Sequence, residues 1–331
     1  PSSAASDVYK RQVILLRISF FSFLFLLTLL TISFYYKVPL NSPEIIDIKE
    51  GSSVSSTSKL LLNKNFIIND FLFNLYSKII SADKSIKAGE YYLDSSNSIH
   101  TYIKLFSSGQ IHYRKLTLLP GMTLNDIYLL RLEEGLINDL GKYPEISLKE
   151  LGINYKEGMF YPDTYFFQKG DKYSSILLIA QEKWKSQSEI LWSDRNEILP
   201  YKNLTEAITL ASIIEKEGLE KNKIASVFIN RLRIGMKLQS DPTVIYALGK
   251  DFDGDIKRKD LRIDNPYNTY RYKGLPPGPI SIVSEESLEA ALNPEETDFL
   301  YFVSMKNGFH KFSKNLTEHN EAVLKYQINE R

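Results

Sequence analysis

Cysteine is absent from this 331-residue chain. That excludes a disulfide framework, a cysteine nucleophile and a thiolate metal site. It does not locate the protein, because a cysteine-free chain suits any compartment. Histidine is scarce, at four residues. Those four make neither HExxH nor another dense ligand pattern, so no metal and no cofactor are expected. There is no glycine-rich phosphate loop. Neither sign of charge dominates: 41 Lys and Arg face 40 Asp and Glu, a net charge of +1. Without a basic footprint, nucleic acid is not an expected partner. Internal repeats and low-complexity tails are missing too. What remains is an ordinary globular composition, 43% hydrophobic and 24% charged. The length allows two domains.

Long apolar runs are also lacking, with one exception. Residues 18–36, ISFFSFLFLLTLLTISFYY, carry no charge over nineteen positions. As a helix this run is about 29 Å long, close to the ~30 Å hydrocarbon core of a bilayer. Tyr35 and Tyr36 stand at one end, where aromatic rings favour the interface. Lys10, Arg11 and Arg17 precede the run, whereas Glu44, Asp47 and Glu50 follow it. The basic flank predicts a cytoplasmic N-terminus over residues 1–17 and a body outside the membrane. A cleaved signal peptide is the competing reading. The following flank, KVPLNSPE (37–44), offers no small-x-small cleavage site, so a retained anchor and a short linker are expected. The chain opens without Met. Residues 1–12 are open to a reading as a non-native remnant, and Arg17 keeps the orientation argument independent of them.

Residues 45–118 read as a small α+β module. IIDIKEG predicts a strand and turn, and LLLNKNFIINDFLFNLYSK predicts helical stretches. IKAGEYYLD alternates like a strand. IHTYIKLFSSG places Ile99, Tyr102, Ile103 and Phe106 on one helical face, with Gly109 as a stop. HYRKLTLLPG predicts a strand into a Pro-Gly turn. Further on, TLNDIYLLRLEEG looks helical and EGMFYPDTYFF is an aromatic, β-prone run broken by Pro162. SILLIAQEKWKSQSEILW is an amphipathic helix. The fold class is therefore α+β.

ITLASIIEKEG, residues 208–218, raises the functional question. Asn203 or Thr205 can cap a helix running to about Glu217, with Gly218 as its C′ residue. Ile208, Ala211, Ser212 and Glu215 share one face, and Ala207, Leu210, Ile213 and Ile214 cover much of the rest. A helix apolar nearly all round is buried. Burial and the C-terminal dipole would both raise the pKa of Glu215, as a general acid requires. The alternative is a structural ion pair with Arg231 or Arg233. Glu217, two residues on, reads as a solvated helix-end charge. Downstream, VFINRLRIGM predicts a second helix, and QSDPT predicts a turn before a third. IDNPYNTYRYKGLPPGPIS, 263–281, is a long loop rich in Tyr, Asn and Pro. Its side chains suit hydroxyl bonding and stacking on sugar faces. FLYFVSMKNGFHKF predicts a hairpin, and Asn315 with Glu318 opens a closing helix. His310 lies on the hairpin's second strand. His319 sits in the first turn of the closing helix and is given no role.

ASIIEKEG, VFINRLRIGMKLQSDPTVIYALG, NPYNTYRYKGLPPGPIS, EGMFYPDTY and YFVSMKNGFHKFSKNLTEHNEAV together resemble the endolytic murein transglycosylases of the YceG-like family. The resemblance runs from the anchor to the C-terminus. It implies a single membrane helix, a LysM-like module at 45–118 and a catalytic domain at 119–331. It implies cleavage of the MurNAc–GlcNAc bond of nascent glycan strands with 1,6-anhydroMurNAc ends, which terminates strand elongation. It assigns the catalytic glutamate to Glu215. Gln239, Ser240, Asp241, Asn268, Tyr270 and His310 become candidate substrate-binding residues, although Asp241-Pro242 also reads as a simple turn and cap. Partners implied are peptidoglycan strands, the membrane through one helix, and cell-wall synthases as candidates. Gly218 departs from the pattern, where Thr or a similar residue is expected, and residues 1–12 match nothing in the family. A hydrolytic muramidase, with Asp241 as the first place to look for a second carboxylate, and a non-catalytic peptidoglycan-binding scaffold remain as alternatives.

Overall fold

The computed structural model describes residues 3–39, 42–81, 86–93, 97–141 and 148–328. Pro1 and Ser2 of the candidate remnant, and Leu40 and Asn41 of the linker, lie outside the described residues. The architecture mixes helices with three small two-stranded sheets among the described residues. The chain divides into two compact units, Pro1–Arg114 and Lys115–Arg331.

The first unit begins with helix α1 (Ser3–Tyr35). Its stretch Val8–Tyr35 is long and apolar enough to cross a membrane, and most of its side chains are exposed. At its end Phe34 turns inward and packs on Tyr76, ring centroids 4.3 Å apart. Two antiparallel strands follow, β1 (Glu44–Ile48) and β2 (Gly89–Leu93), with Ile46 opposite Tyr91. Three ten-residue helices complete the unit: α2 (Val54–Asn63), α3 (Asp70–Ile79) and α4 (Ile99–Ser108). Each starts where a Ser53, Asn69 or Ser98 side chain accepts an N–H of the first turn. The serine-rich residues 52–58 thus supply the start of α2. The predicted face of Ile99, Tyr102, Ile103 and Phe106 is buried, and Gly109 ends α4 at φ 71°, where a Cβ would be disfavoured.

The second unit opens within β3 (Arg114–Thr117), which pairs with β4 (Thr164–Phe167). The aromatic run supplies only this short strand, which starts after Pro162, while Phe160 is buried outside it. Helix α5 (Leu124–Leu129) opens with a Thr123–Asp126 capping box. Then come α6 (Tyr173–Ser193), α7 (Leu204–Glu217), α8 (Lys221–Arg233), α9 (Asp241–Leu248) and α10 (Glu285–Leu292). The hairpin β5 (Tyr301–Ser304) and β6 (His310–Ser313) sets Phe302 opposite Phe312. Helix α11 (Leu316–Val323) closes the chain and widens into a π turn through Ile328.

Helix α7 is the centre of this unit. Every residue from Ala207 to Ile214 is buried, because α6, α8, α9 and α10 surround it. Burying each Leu or Ile side chain contributes roughly 1.5–3 kcal/mol before entropy is charged. A helix so enclosed has no solvated face, and this decides the fate of the charges at its end.

Candidate active site

Helix α7 is fixed at its start by Asn203, which accepts the Glu206 N–H at 2.9 Å, while Glu206 accepts the Lys202 N–H at 2.8 Å. Its other end carries Glu215 and Glu217. Residues two apart on a helix point about 200° apart. With neighbours on all sides, both carboxylates meet protein, but different protein.

Glu215 is in an ion pair. Lys221 Nζ donates to Oε1 at 2.9 Å, and Ser284 donates to Oε2 through its N–H at 2.9 Å and its hydroxyl at 2.5 Å. Lys221 is itself buried and also donates to Ser284 Oγ at 3.0 Å and Ser287 Oγ at 2.7 Å. Burial pushes the Glu215 pKa up, but the Ser284 and Ser287 hydroxyls, the Lys221 ammonium and the Ser284 N–H together overturn that push. The carboxyl titrates below the usual glutamate range. This reverses the upward shift expected from the sequence. The partner is Lys221, at the start of the next helix, rather than Arg231 or Arg233. Arg231 donates to the carbonyls of Leu300 at 2.7 Å and Leu238 at 2.5 Å, and Arg233 donates to Ile198 O at 3.0 Å.

Glu217 is the opposite case, and the expectation of a solvated charge is corrected. The side chain is partly buried and lines a cavity of about 420 Å³. The Ser240 hydroxyl donates to its Oε1. Burial is the largest influence and pushes the pKa up, the Ser240 bond pulls it down, Asp241 pushes it up and Arg231 pulls it down. The result is about 7. No lysine or arginine lies within ion-pair distance of Glu217 among the described residues. A carboxyl with that pKa is half protonated at neutral pH, which suits a proton donor.

The neighbouring side chains come from three places. Gln239 and Asp241 flank Ser240 at the start of α9 and line the cavity. Ser240 holds the N-cap position, yet its hydroxyl serves Glu217 instead of a first-turn N–H. Gln239 sits at φ 51°, an uncommon conformation for a residue with a Cβ. From the long loop, Tyr270 enters the cavity and donates its hydroxyl to Asp241 Oδ1 at 2.6 Å. From the C-terminal hairpin and α11 come Tyr301, Phe302, His319 and Asn320. The His319 ring stacks on Tyr301 at 5.1 Å. Burial, and then Arg231, lower its pKa, so the imidazole is neutral at neutral pH. Arg231 also lines the cavity, a buried cation that donates to the Leu300 and Leu238 carbonyls and lies over the Tyr301 ring, 5.4 Å from its centroid.

Of the candidate residues, Gln239, Ser240, Asp241 and Tyr270 gather around Glu217. Asn268 does not face the cavity. It is buried, donates to the carbonyls of Leu261 at 3.1 Å and Ile263 at 2.9 Å, and accepts the Tyr270 N–H at 3.0 Å. It braces the loop that presents Tyr270. His310 is away from the cavity lining and bonds to Glu220, through its N–H at 2.6 Å and Nδ1 at 3.2 Å. Gly218 is not the left-handed C′ residue expected: at φ 166° its backbone is extended. A Cβ there would come 2.8 Å from His310 Cε1, so the close approach of that ring accounts for the glycine. Glu217, read from the sequence as a solvated charge, and His319, given no role there, both line the cavity. The signal for Glu217 was present, since a helix apolar all round leaves no exposed side for a second carboxylate.

Residues 46–325 match the YceG-like family. The chain belongs to that family. An endolytic murein transglycosylase of Bacillus subtilis (strain 168) is 37% identical over 306 residues, covering 85% of this chain and 84% of that protein. A protein of the same name from Streptococcus pneumoniae serotype 2 (strain D39 / NCTC 7466) is 28% identical, and the match spans 85% of this chain but only 58% of the longer relative. Among solved structures, a yceG-like protein from Listeria monocytogenes is 31% identical, with a TM-score of 0.49 over 85% of this chain and 99% of its own. The YceG-like match reaches into both compact units and includes every residue of the cavity just described.

Proposed function

We propose that this chain is a membrane-anchored endolytic murein transglycosylase whose general acid is Glu217, with Glu215 as a structural ion-pair partner. The observation carrying this reading is the Glu217 carboxyl, bonded by Ser240, with a pKa of about 7 and no ion pair among the described residues, in a cavity that it shares with Gln239, Asp241, Tyr270 and His319. The names of the Bacillus and Streptococcus relatives support the substrate class.

The chemistry needs one carboxyl. Glu217-COOH protonates the glycosidic oxygen as the bond from C1 of MurNAc breaks. The MurNAc 6-hydroxyl then attacks C1 and gives its proton to the Glu217 carboxylate. A 1,6-anhydro end forms, water is not consumed, and the acid is regenerated. Ser240 and Arg231 favour the carboxylate formed midway, and Asp241 favours the positive charge that develops at C1. Gln239, Tyr270 and neutral His319 offer hydrogen bonds to sugar hydroxyl and acetamido groups.

The remaining parts of the reading follow the same logic. Lys10, Arg11 and Arg17 keep the N-terminus cytoplasmic, so both units face the extracytoplasmic side. The strand pair and helices of residues 45–118 act as a LysM-like glycan-binding module. Cutting nascent strands ends their elongation, and cell-wall synthases are the natural partners for that step.

The test is mass spectrometry of products from uncross-linked glycan strands, using the full chain in detergent. Wild type and Glu215→Gln should give anhydro ends, the latter in proportion to its folded fraction, and Glu217→Gln should give none. Reducing ends from wild type would identify a muramidase and make Asp241 the second carboxylate. Strand binding without cleavage by wild type would favour a scaffold.

A further inference from the structure

A second cavity, of about 630 Å³, adjoins the same two chain segments as the first. Lys216 and Pro242 line it, whereas their chain neighbours Glu217 and Asp241 line the catalytic cavity. Consecutive side chains on a helix point about 100° apart, so the two cavities meet the end of α7 on neighbouring sides. The second is partly apolar, with Leu124, Pro242, Ile245 and Ile280 in its wall.

Its carboxylates are already engaged. Glu157 accepts the Leu124 N–H at 2.9 Å and the Tyr246 hydroxyl at 3.1 Å. Asp126 is closed in the capping box with Thr123. Its ammonium groups are not engaged in this way. Lys216 reaches only the Gly121 carbonyl, at 3.3 Å, and Lys250 has no hydrogen-bond or carboxylate partner among the described residues. A cavity with apolar wall, satisfied acids and two available cations is complementary to an anion that also carries small apolar groups.

We infer that this cavity is a subsite for the acidic peptide branch of the murein strand. The inference rests on the transglycosylase reading. The N-acetylated sugar backbone of the polymer is neutral. Its anions lie on the lactyl arm of the muramic residue, as a bare lactyl carboxylate or as carboxylates of an attached peptide. That arm grows from the sugar whose C1 is attacked at Glu217, so it leaves the reacting centre beside the second cavity. Lys216 and Lys250 bind the peptide carboxylates, and Leu124, Ile245 and Ile280 take alanine methyl groups. The subsite makes the enzyme prefer strands that still carry their peptides.

The experiment compares strands bearing peptides with strands stripped by an amidase. Wild type, Lys250→Gln, Lys250→Arg and the double variant Lys216→Gln/Lys250→Gln are assayed as full chains in detergent. The expected result is a fall of about five- to tenfold in the ratio of kcat/KM for peptide-bearing over stripped strands in the double variant, with a smaller fall in Lys250→Gln and retention in Lys250→Arg. A ratio equal to that of wild type overturns the inference, even where absolute rates drop, and leaves the bare lactyl carboxylate as the only anion recognised. Calorimetric binding of a soluble muramyl peptide, against N-acetylmuramic acid alone, decides the subsite independently of cleavage. Failure of wild type to cut either strand would sink the transglycosylase reading. Peptide binding lost in Lys250→Gln would still support the subsite, and peptide binding that is absent or indifferent to both lysines would refute it.

Discussion

The Lys221 ammonium lies 2.9 Å from Glu215 Oε1, and the two side chains are each 9% exposed. A buried pair of this kind is costly to break because the survivor is an uncompensated charge. Glu215→Gln should therefore destabilise the second unit by about 3–5 kcal/mol. The double variant Glu215→Gln/Lys221→Met should recover most of that loss, since no charge is left behind. Urea denaturation of the three proteins is the check. Equal stability of Glu215→Gln and wild type would remove the structural role assigned to the pair.

Glu217 predicts the reverse. Its pKa in the folded protein, about 7, lies above the ordinary glutamate value of 4.5. The folded state therefore holds the proton more tightly than the unfolded chain. The stability linked to that proton is fully present below about pH 4.5 and is lost as pH rises through about 7. Glu217→Gln abolishes the titration while still accepting the Ser240 hydroxyl. At pH 8 the variant should be more stable than wild type by roughly 1–3 kcal/mol, and below pH 4.5 the two should converge. Glu157, also raised to about 7 by burial, adds a parallel pH dependence, so the difference curve between variant and wild type is the quantity to measure.

Activity should follow the same proton. If Glu217 is the acid, kcat/KM falls about tenfold per unit above pH 7. Ser240→Ala removes a hydrogen bond that favours the carboxylate, so the alkaline limb should move up by roughly half to one unit. A pH–rate profile of wild type and Ser240→Ala reads both effects. A limb that stays in place would detach Ser240 from the acid's tuning.

Asn268→Ala should act on the loop. The buried amide satisfies two carbonyls and holds the Tyr270 N–H. Its loss should cost about 1–3 kcal/mol and raise KM through displacement of Tyr270. Thermal denaturation and steady-state kinetics measured together would show whether the two effects travel as a pair.

Much was legible in the chain alone. The apolar run at residues 18–36 and the charges flanking it depend only on composition. The face of Ile99, Tyr102, Ile103 and Phe106, the stop at Gly109, the hairpin around Asn307-Gly308 and the caps at Asn203 and Asn315 follow from local backbone and periodicity rules. The motifs that identify the YceG-like family are read from sequence as well. So is the enclosure of helix α7, which is apolar on every side.

The roles of Glu215 and Glu217 were not legible, because a pKa is set by what lies across space. Lys221 is six residues from Glu215 and Ser284 is 69 residues away, and their convergence lowers the pKa of one carboxyl. Ser240, 23 residues from Glu217, leaves the other with a single hydroxyl donor and a raised pKa. Periodicity says that both carboxylates leave the solvent. Only the packing of α8, α9 and α10 around the end of α7 decides which one meets a cation and which one faces the cavity.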